Sequence, residues 1–212
     1  MPRDWLAWHA DYDADTPLAR RLAIVQEHVG RALDERQGAQ VRVLSLCSGE
    51  GRDLIVPLAA RTPASNVRGL FVELDPTLAA RAREGISAAG LHGLAVREGD
   101  AGTTASFADA VPADLVLLCG IFGNISDADI ERTVRMAPAL CAPGATVLWT
   151  RHRRPPDLTP RIREWFEASG FRHEAFIPVP NGPSSVGVER LIGSPLPFET
   201  GVRLFDFRDD AR

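Results

Sequence analysis

Two glycines and two acidic residues carry the first chemical signal in the sequence. The segment VRVLSLCSGEGRDL, Val41 to Leu54, places Gly49 and Gly51 after an apolar run and before a helical one, where backbone N–H groups can face a ligand. Glu73 ends the next apolar run, where a carboxylate can accept hydrogen bonds from both ribose hydroxyls. Asp100 follows the third run and can read the exocyclic amine of a base. Together these residues predict an adenosine site.

Each feature has a simpler explanation when taken alone. A glycine pair in such a turn often serves packing, and an acidic residue at a strand end is often a solvated cap. A dinucleotide-binding turn requires a third glycine three residues after the second, and that position holds Leu54. The order and spacing of the features therefore favour an adenosine site over a nicotinamide oxidoreductase.

The elements that must position these residues alternate along the chain. Unbroken apolar runs predict five strands: Val41–Leu46, Val67–Glu73, Leu94–Arg97, Ala113–Cys119 and Ala145–Thr150. Helical spacing and capping residues predict the helices: Thr16 to Gly38, Arg52 to Arg61, Asp75 to Gly90, Asp127 to Leu140 and Pro160 to Ala168. Unbroken apolar strands between helices indicate a parallel sheet that is covered on both faces.

The end of the chain has a different pattern. Segments Phe171–Val179 and Ser185–Ile192 are joined by a short turn at Pro180 to Pro183, so they form an antiparallel hairpin. The predicted fold is α/β: a doubly wound, mostly parallel seven-stranded sheet with helices on both faces and an antiparallel hairpin at its C-terminal edge.

Composition excludes several classes of function. All 24 cationic residues are arginine, so a lysine Schiff base and the lysine of a phosphate-binding P-loop are both absent. A net charge of −4 argues against nucleic-acid binding, and the short cluster Arg151–Arg154 is better explained as a solvated loop. Cys47, Cys119 and Cys141 lack the spacing of metal ligands, so no metal is predicted. No run is long enough for a membrane span, and the first residues lack the apolar core of a signal peptide, so we expect a cytoplasmic protein.

Over roughly Val41 to Ile192, the sequence resembles the class I S-adenosylmethionine-dependent methyltransferases. The stretches SLCSGEGR, FVELDP, GDA, DLVLLCGIFGNI and LCAPGATVLWT match that family's motifs in order. The resemblance implies that S-adenosylmethionine is the cofactor and S-adenosylhomocysteine the product. The positions that it assigns to the cofactor are Cys47, Ser48, Gly49, Gly51, Glu73, Leu74, Asp100, Ala101, Cys119 and Gly120.

The sequence departs from that family at several points. Ser45 and Cys47 stand where the first motif often has an acidic residue and a glycine, so we expect the methionine end of the cofactor to be held differently. The Asn-Pro-Pro-aromatic signature of enzymes that methylate nucleic-acid bases is replaced by CGIFGN, Cys119 to Asn124. This difference favours a small-molecule acceptor and no nucleic-acid partner.

Methyl transfer from a sulfonium mainly requires an in-line acceptor, with a base where a proton must leave. His152 and Asn124 follow the predicted fifth and fourth strands, and His152 is the candidate base, although a surface histidine is the simpler alternative. Tyr12 shares a helical face with three other residues and can contact the acceptor; a docking face is the alternative. The other members of this face are Trp5, Trp8 and His9. In similar enzymes such a segment covers the active site, so we assign residues 1–38 to a covering helical segment and 39–212 to the cofactor-binding domain.

The predicted function is transfer of a methyl group from S-adenosylmethionine to a small organic acceptor. Aminopropyl transfer from the decarboxylated cofactor, nicotinamide-dependent oxidation, and a protein that holds the cofactor without consuming it stay open as alternatives. Cys47 can also act as a nucleophile at a helix start, but packing within the glycine turn explains it better.

Overall fold

A computed structural model of the protein describes residues 16–36, 38–61 and 66–208. The helices are α1 (Pro17–Asp34), α2 (Arg52–Ala59), α3 (Pro76–Ala88), α4 (Asp127–Leu140) and α5 (Thr159–Ala168). The strands are β1 (Val41–Leu46), β2 (Val67–Glu73), β3 (Leu94–Glu98), β4 (Ala113–Leu118), β5 (Cys141–His152), β6 (Phe171–Pro178) and β7 (Ser184–Leu191). Of the predicted covering segment, residues 1–38, the described part contains α1; Trp5, Trp8, His9 and Tyr12 lie outside the described residues.

The seven strands form one sheet in the order β3-β2-β1-β4-β5-β7-β6. Strands β1 to β5 run parallel to one another, whereas β7 runs antiparallel to β5 and β6 antiparallel to β7. The predicted fold class is therefore confirmed, including the antiparallel hairpin at the edge.

Capping residues explain where the helices begin. The Thr16 hydroxyl accepts a hydrogen bond from the backbone N–H of Ala19 at 3.1 Å, and Pro17 occupies the first turn of α1. The Asp75 carboxylate caps α3 in the same way, and the Ser126 hydroxyl caps α4. These are the short polar residues from which the helix starts were predicted.

Strand β5 is longer than predicted. It begins at Cys141 instead of Ala145, because α4 passes directly into an extended backbone at Cys141, which pairs with Ala113 of β4. The Pro143–Gly144 pair lies in a register shift between β4 and β5, with Gly144 at φ +72°. A sequence that is typical of a turn is therefore a bulge within a continuing strand.

Two apolar layers hold the helices against the sheet. One layer joins α1, α2 and α3 to one face, and its large side chains include Phe71 and Leu54. The other joins α4 and α5 to the opposite face around Trp149 and Phe166, whose rings stack with centroids 6.1 Å apart. Parallel strands covered on both faces account for the unbroken apolar runs in the sequence.

Residues 199–208 form a segment that the sequence pattern did not predict, and we call it the C-terminal strap. Its Leu204 N–H donates to the Gly102 carbonyl at 2.8 Å, and its Arg208 N–H donates to the Asn124 carbonyl at 2.9 Å. Leu204 and Phe205 are buried in the same apolar layer as α4. The strap thus connects the loop after β3 to the loop after β4.

Within the described ranges, we find no helix that has the length and apolar character to span a membrane. The same residues contain no group of three or more His, Cys, Asp or Glu side chains arranged to hold a metal ion.

Candidate active site

The predicted site residues with described positions lie along one edge of the sheet. Parallel strands β1 to β5 all end at this edge, where the glycine turn, the Asp100 loop and the loop after β4 follow them. The strand order changes direction between β1 and β4, and α/β sheets bind ligands in the crevice at such a point.

The turn after β1 has an unusual backbone conformation. Cys47, Gly49 and Gly51 all have positive φ angles, of 53°, 56° and 73°. The Ser48 N–H donates to the Val72 carbonyl at 3.1 Å, and the Gly51 N–H donates to the Ser48 carbonyl at 2.9 Å, which fastens the turn to β2. A Cβ at Gly51 would lie 2.3 Å from a Phe71 ring carbon, so this glycine is required for packing as well as for its φ angle.

Glu73 connects the turn to the end of β2. Its side chain is only 8% exposed, and its two oxygens accept hydrogen bonds from the N–H groups of Gly49 at 2.7 Å and Asp75 at 2.9 Å. Burial raises the pKa of Glu73, while these backbone donors oppose the rise. A carboxylate has about four acceptor positions, so both oxygens can still accept from a ligand. Leu74 follows with 66% exposure, at the open side of the edge.

Asp100 is held by two donors of different kinds. Its Oδ1 accepts from the Gly102 N–H at 2.8 Å, and its Oδ2 accepts from the Arg203 guanidinium of the C-terminal strap. Ala101, the next residue, is buried. Arg203 was not identified from the sequence, because it lies 103 residues from Asp100 and belongs to no motif.

The loop after β4 forms the other side of the crevice. Gly120 has a φ of +79° with open space where a Cβ would be, and its N–H donates to the Thr150 hydroxyl at 2.8 Å. The Asn124 amide donates to the Gly120 carbonyl at 2.6 Å, which closes the loop. Cys119, the residue before Gly120, is half-buried.

His152 lies beside this loop. Its ring carbon Cδ2 is 3.8 Å from the position that a Cβ at Gly123 would occupy, and its Nδ1 is buried without a hydrogen-bond partner among the described residues. Burial lowers the pKa of His152, and the nearby guanidinium groups of Arg151, Arg154 and Arg208 lower it further. The imidazole is therefore neutral at pH 7 and able to accept a proton.

Arg151 supports the same loop from within the protein. It is 7% exposed, and its guanidinium donates to the Phe122 carbonyl. Its Nε has no hydrogen-bond partner within the described part of the chain, and the same holds for Nε of Arg153. These two buried N–H donors therefore lack a protein acceptor among the described residues.

A further acidic residue was missed in the sequence. Asp53 lies in the first turn of α2, and its buried Oδ1 has no hydrogen-bond partner among the residues that the structure describes. Burial raises the pKa of Asp53 to about 6, and Arg21 opposes the rise. Acidic residues are common in the first turns of helices, so no sequence signal distinguished this one.

The cysteines at the edge are thiols. Burial raises the pKa of Cys47, and the neighbouring carboxylates of Glu73 and Asp100 raise it further. Burial also raises the pKa of Cys119. Neither is activated as a nucleophile, which agrees with packing as their role.

Comparisons with known proteins bear on the fold. No protein-family model matches the chain, and no curated protein sequence matches it. An O-methyltransferase family protein from Burkholderia thailandensis superposes with a TM-score of 0.64 at 20% identity, over 89% of this chain and 60% of that one. Magnesium protoporphyrin IX methyltransferase from Synechocystis PCC 6803, solved with bound S-adenosylmethionine, superposes with a TM-score of 0.65 at 11% identity, over 81% of this chain and 80% of that one. Precorrin-6y C5,15-methyltransferase from Geobacter metallireducens superposes with a TM-score of 0.56 at 12% identity, over 78% of this chain and 88% of that one.

These identities are low, so the likeness concerns architecture, and the chain spans 60% of the length of the Burkholderia protein. The strand order, the antiparallel hairpin and the crevice between β1 and β4 agree with that architecture. The chain has the class I S-adenosylmethionine-dependent methyltransferase fold.

Proposed function

We propose that the protein binds S-adenosylmethionine and transfers its methyl group to a small-molecule acceptor. The observation that carries this proposal is the pair of strand-end carboxylates, Glu73 and Asp100, each of which has both oxygens oriented by donors of this chain. The neighbour from Synechocystis was solved with bound S-adenosylmethionine, which supports the same cofactor here.

The residues at the edge fit this cofactor. The Ser48 hydroxyl is buried without a partner among the described residues, so a ligand at the glycine turn would satisfy it. The residues that would hold the cofactor fall into three groups along the edge. They are Cys47, Ser48, Gly49 and Gly51 in the turn, Glu73 and Leu74 with Asp100 and Ala101 on the β2 and β3 side, and Cys119 and Gly120 after β4.

The bound cofactor supplies an activated methyl group, so the chain has to orient the acceptor and exclude water. His152 would act as the base, because its imidazole lies beside the loop after β4 and its lowered pKa keeps it neutral at pH 7. Asn124 would shape the acceptor side by closing the loop after β4. Tyr12, which lies outside the described residues, stays a predicted acceptor contact.

We further propose that the acceptor is a small molecule and not a nucleic acid. The CGIFGN sequence after β4 forms a closed loop in which the Asn124 N–H donates to the Ile121 carbonyl at 2.8 Å. The acidic net charge of −4 is also unfavourable for a polyphosphate chain.

The test is a thermal shift experiment with S-adenosylmethionine, S-adenosylhomocysteine and NAD in parallel. A ligand at 100 times its dissociation constant adds about 2.7 kcal/mol, which is roughly 5–11 °C for a chain of this size. We expect a shift with the two sulfur ligands. A shift with NAD alone, or none with any ligand, would contradict the proposal.

A second measurement separates enzyme from scaffold. Formation of S-adenosylhomocysteine is followed with a panel of small phenols, amines and carboxylic acids. Turnover with any member supports methyl transfer. Tight cofactor binding with no turnover across the panel favours a protein that holds the cofactor without consuming it.

A further inference from the structure

The C-terminal strap is fastened to the loop after β3 by its backbone. The Leu204 N–H donates to the Gly102 carbonyl at 2.8 Å, and the Thr104 N–H donates to the Val202 carbonyl at 3.0 Å. The Val202 N–H donates in turn to the Thr104 hydroxyl at 2.9 Å. The position of the residue between them, Arg203, is therefore set without its side chain.

The contact is too close for any other residue at Gly102. A Cβ there would lie 2.4 Å from the Phe205 carbonyl oxygen and 3.2 Å from the guanidinium carbon of Arg203. Leu204 and Phe205 are both buried, so the strap is anchored by apolar side chains on the C-terminal side of Arg203. Removing the Arg203 guanidinium would leave these anchors in place.

Arg203 joins two carboxylates. One terminal nitrogen donates to Oδ2 of Asp100, and the other donates to Asp206 of the strap. The side chains of Arg203 and Asp100 are 40% and 45% exposed. An ion pair with this exposure contributes little to folding, so its effect lies in how it orients Asp100.

The two strand-end carboxylates differ in this respect. Glu73 receives two backbone N–H groups from its own edge of the sheet, whereas Asp100 receives only the Gly102 N–H from its loop. Its second donor is the side chain of Arg203. Without Arg203, the Asp100 side chain would be free to turn about its Oδ1 hydrogen bond.

We propose that Arg203 is a positioning residue for base recognition, an inference that rests on the proposed cofactor site. By fixing Oδ2, Arg203 turns the remaining acceptor positions of the Asp100 carboxylate toward the 6-amino group of adenine. The strap thereby sets the preference of the site for a 6-aminopurine over a 6-oxopurine.

Two physical features support this specificity. A 6-oxopurine presents a carbonyl oxygen to the Asp100 carboxylate, so two acceptors face each other unpaired, and such mismatches are strongly rejected. Arg203 is itself held between two carboxylates, because one terminal nitrogen donates to Asp100 and the other to Asp206, so the donor that orients Asp100 has a fixed position.

The experiment compares two ligands by isothermal titration calorimetry: S-adenosylhomocysteine and its deaminated analogue S-inosylhomocysteine. We expect the unaltered protein to bind the adenine compound about tenfold to a hundredfold more tightly. In Arg203→Ala this ratio should fall at least about fivefold, and Arg203→Lys, which keeps a cationic donor, should restore part of it.

Arg61→Ala is the matched control. Arg61 pairs with Asp34 at 2.9 Å, with side-chain exposures of 32% and 51%, and it follows the C-terminal end of α2, the end away from the glycine turn. Its removal should leave the ratio unchanged, so a loss there as well would show a general effect of removing an arginine and would overturn the assignment.

The other outcomes are also decisive. If the unaltered protein does not bind S-adenosylhomocysteine, the proposed function fails. If it binds and Arg203→Ala keeps the full ratio, the cofactor site stands and the role of Arg203 is wrong. Should Arg203→Ala be too unstable to titrate, Arg203→Met decides in its place, since it keeps an unbranched apolar stem but has no N–H donor for Asp100.

Discussion

The two sides of the crevice satisfy their polar groups in different ways. On the β1 to β3 side, Glu73 and Asp100 each receive two hydrogen bonds from the chain itself. On the β4 and β5 side, Nδ1 of His152 and Nε of Arg151 are buried without partners among the described residues. The two carboxylates of the first side are therefore oriented by donors of the protein, whereas these two side chains of the second side have buried polar atoms without described partners.

The difference suggests that the two sides of the crevice are suited to two different ligands. Oriented carboxylates cost no reorganisation when a ligand arrives, which suits a cofactor that is the same in every turnover. Buried polar atoms without partners are costly, and an acceptor that supplies those partners would be held in one orientation.

The two sides also differ in charge. The β2 and β3 side has the carboxylates of Glu73 and Asp100, the second of which pairs with Arg203. On the other side, burial lowers the pKa of His152, the guanidinium groups of Arg151, Arg154 and Arg208 lower it further, and Asp157 opposes them.

The largest expected effect is on the acceptor side. His152→Ala should lower the methyl transfer rate about 10²- to 10⁴-fold where the acceptor loses a proton, with no change in the dissociation constant of S-adenosylhomocysteine. Because the pKa of His152 is lowered, the unaltered protein should keep its full rate above about pH 6.5 and lose it only as the pH falls through that lowered value. The measurement is the pH profile of S-adenosylhomocysteine formation, and a full rate in the variant would remove His152 from the mechanism.

The second-largest expected effect is on stability and concerns the packing of the glycine turn. Gly51→Ala should destabilise the protein by about 2–4 kcal/mol, because a Cβ would lie 2.3 Å from Phe71 at a φ of +73°. Gly90→Ala is the matched control: its φ is +66° with nothing within 4 Å, so it should cost only the backbone strain, about 1 kcal/mol. Urea unfolding measures the free energy of unfolding of both variants, and equal losses would show that the close packing at Gly51 adds nothing to the cost of the substitution.

A third prediction concerns cofactor affinity. Glu73→Ala should weaken S-adenosylhomocysteine binding about 10- to 100-fold, because it removes a charged acceptor. Glu98→Ala is the control, since Glu98 is the partner of Glu73 in the register of β3 and β2 but is exposed. Titration calorimetry of both variants gives the answer, and an unchanged affinity in Glu73→Ala would mean that the carboxylate only organises the glycine turn.

The smallest effect tests a buried carboxylate away from the crevice. Glu189 of β7 accepts from the Trp149 indole N–H at 3.1 Å and lies 3.0 Å from Nδ1 of His173. Burial raises the pKa of Glu189 to about 8, so the folded protein keeps a proton there that the unfolded chain loses above about pH 4.3. Stability should therefore fall as the pH rises from about 5 to 8.

Glu189→Gln, which stays neutral at every pH, should flatten this dependence and gain about 1–2 kcal/mol over the unaltered protein at pH 8. Thermal unfolding at pH 5 and pH 8 measures it. A pH dependence equal to that of the unaltered protein would show that Glu189 does not titrate in this range.

The sequence predicted the interior of the fold well. Strands β1 and β2 have the predicted bounds, because an interior parallel strand is an unbroken apolar run between turn residues. Strand β5 was predicted too short, because Pro143 and Gly144 usually mark a turn and here form a bulge. Local patterns carry no information on whether a strand resumes after such a pair.

The same limit applies to the candidate site. The positions of Gly49, Gly51 and Glu73 follow from strand ends that the sequence marks locally. Arg203 meets Asp100 through a strap without helical or strand periodicity. No spacing rule connects two positions that only tertiary packing brings together.

The strap has a consequence for the order of events during synthesis. Asp100 leaves the ribosome 103 residues before Arg203, and at 5–20 residues per second the interval is about 5–20 s. During that time strands β1 to β4 can pair and the glycine turn can close on Glu73. With the proposed roles, the Glu73 carboxylate for the ribose would be in place well before the Asp100 carboxylate for the base is fixed.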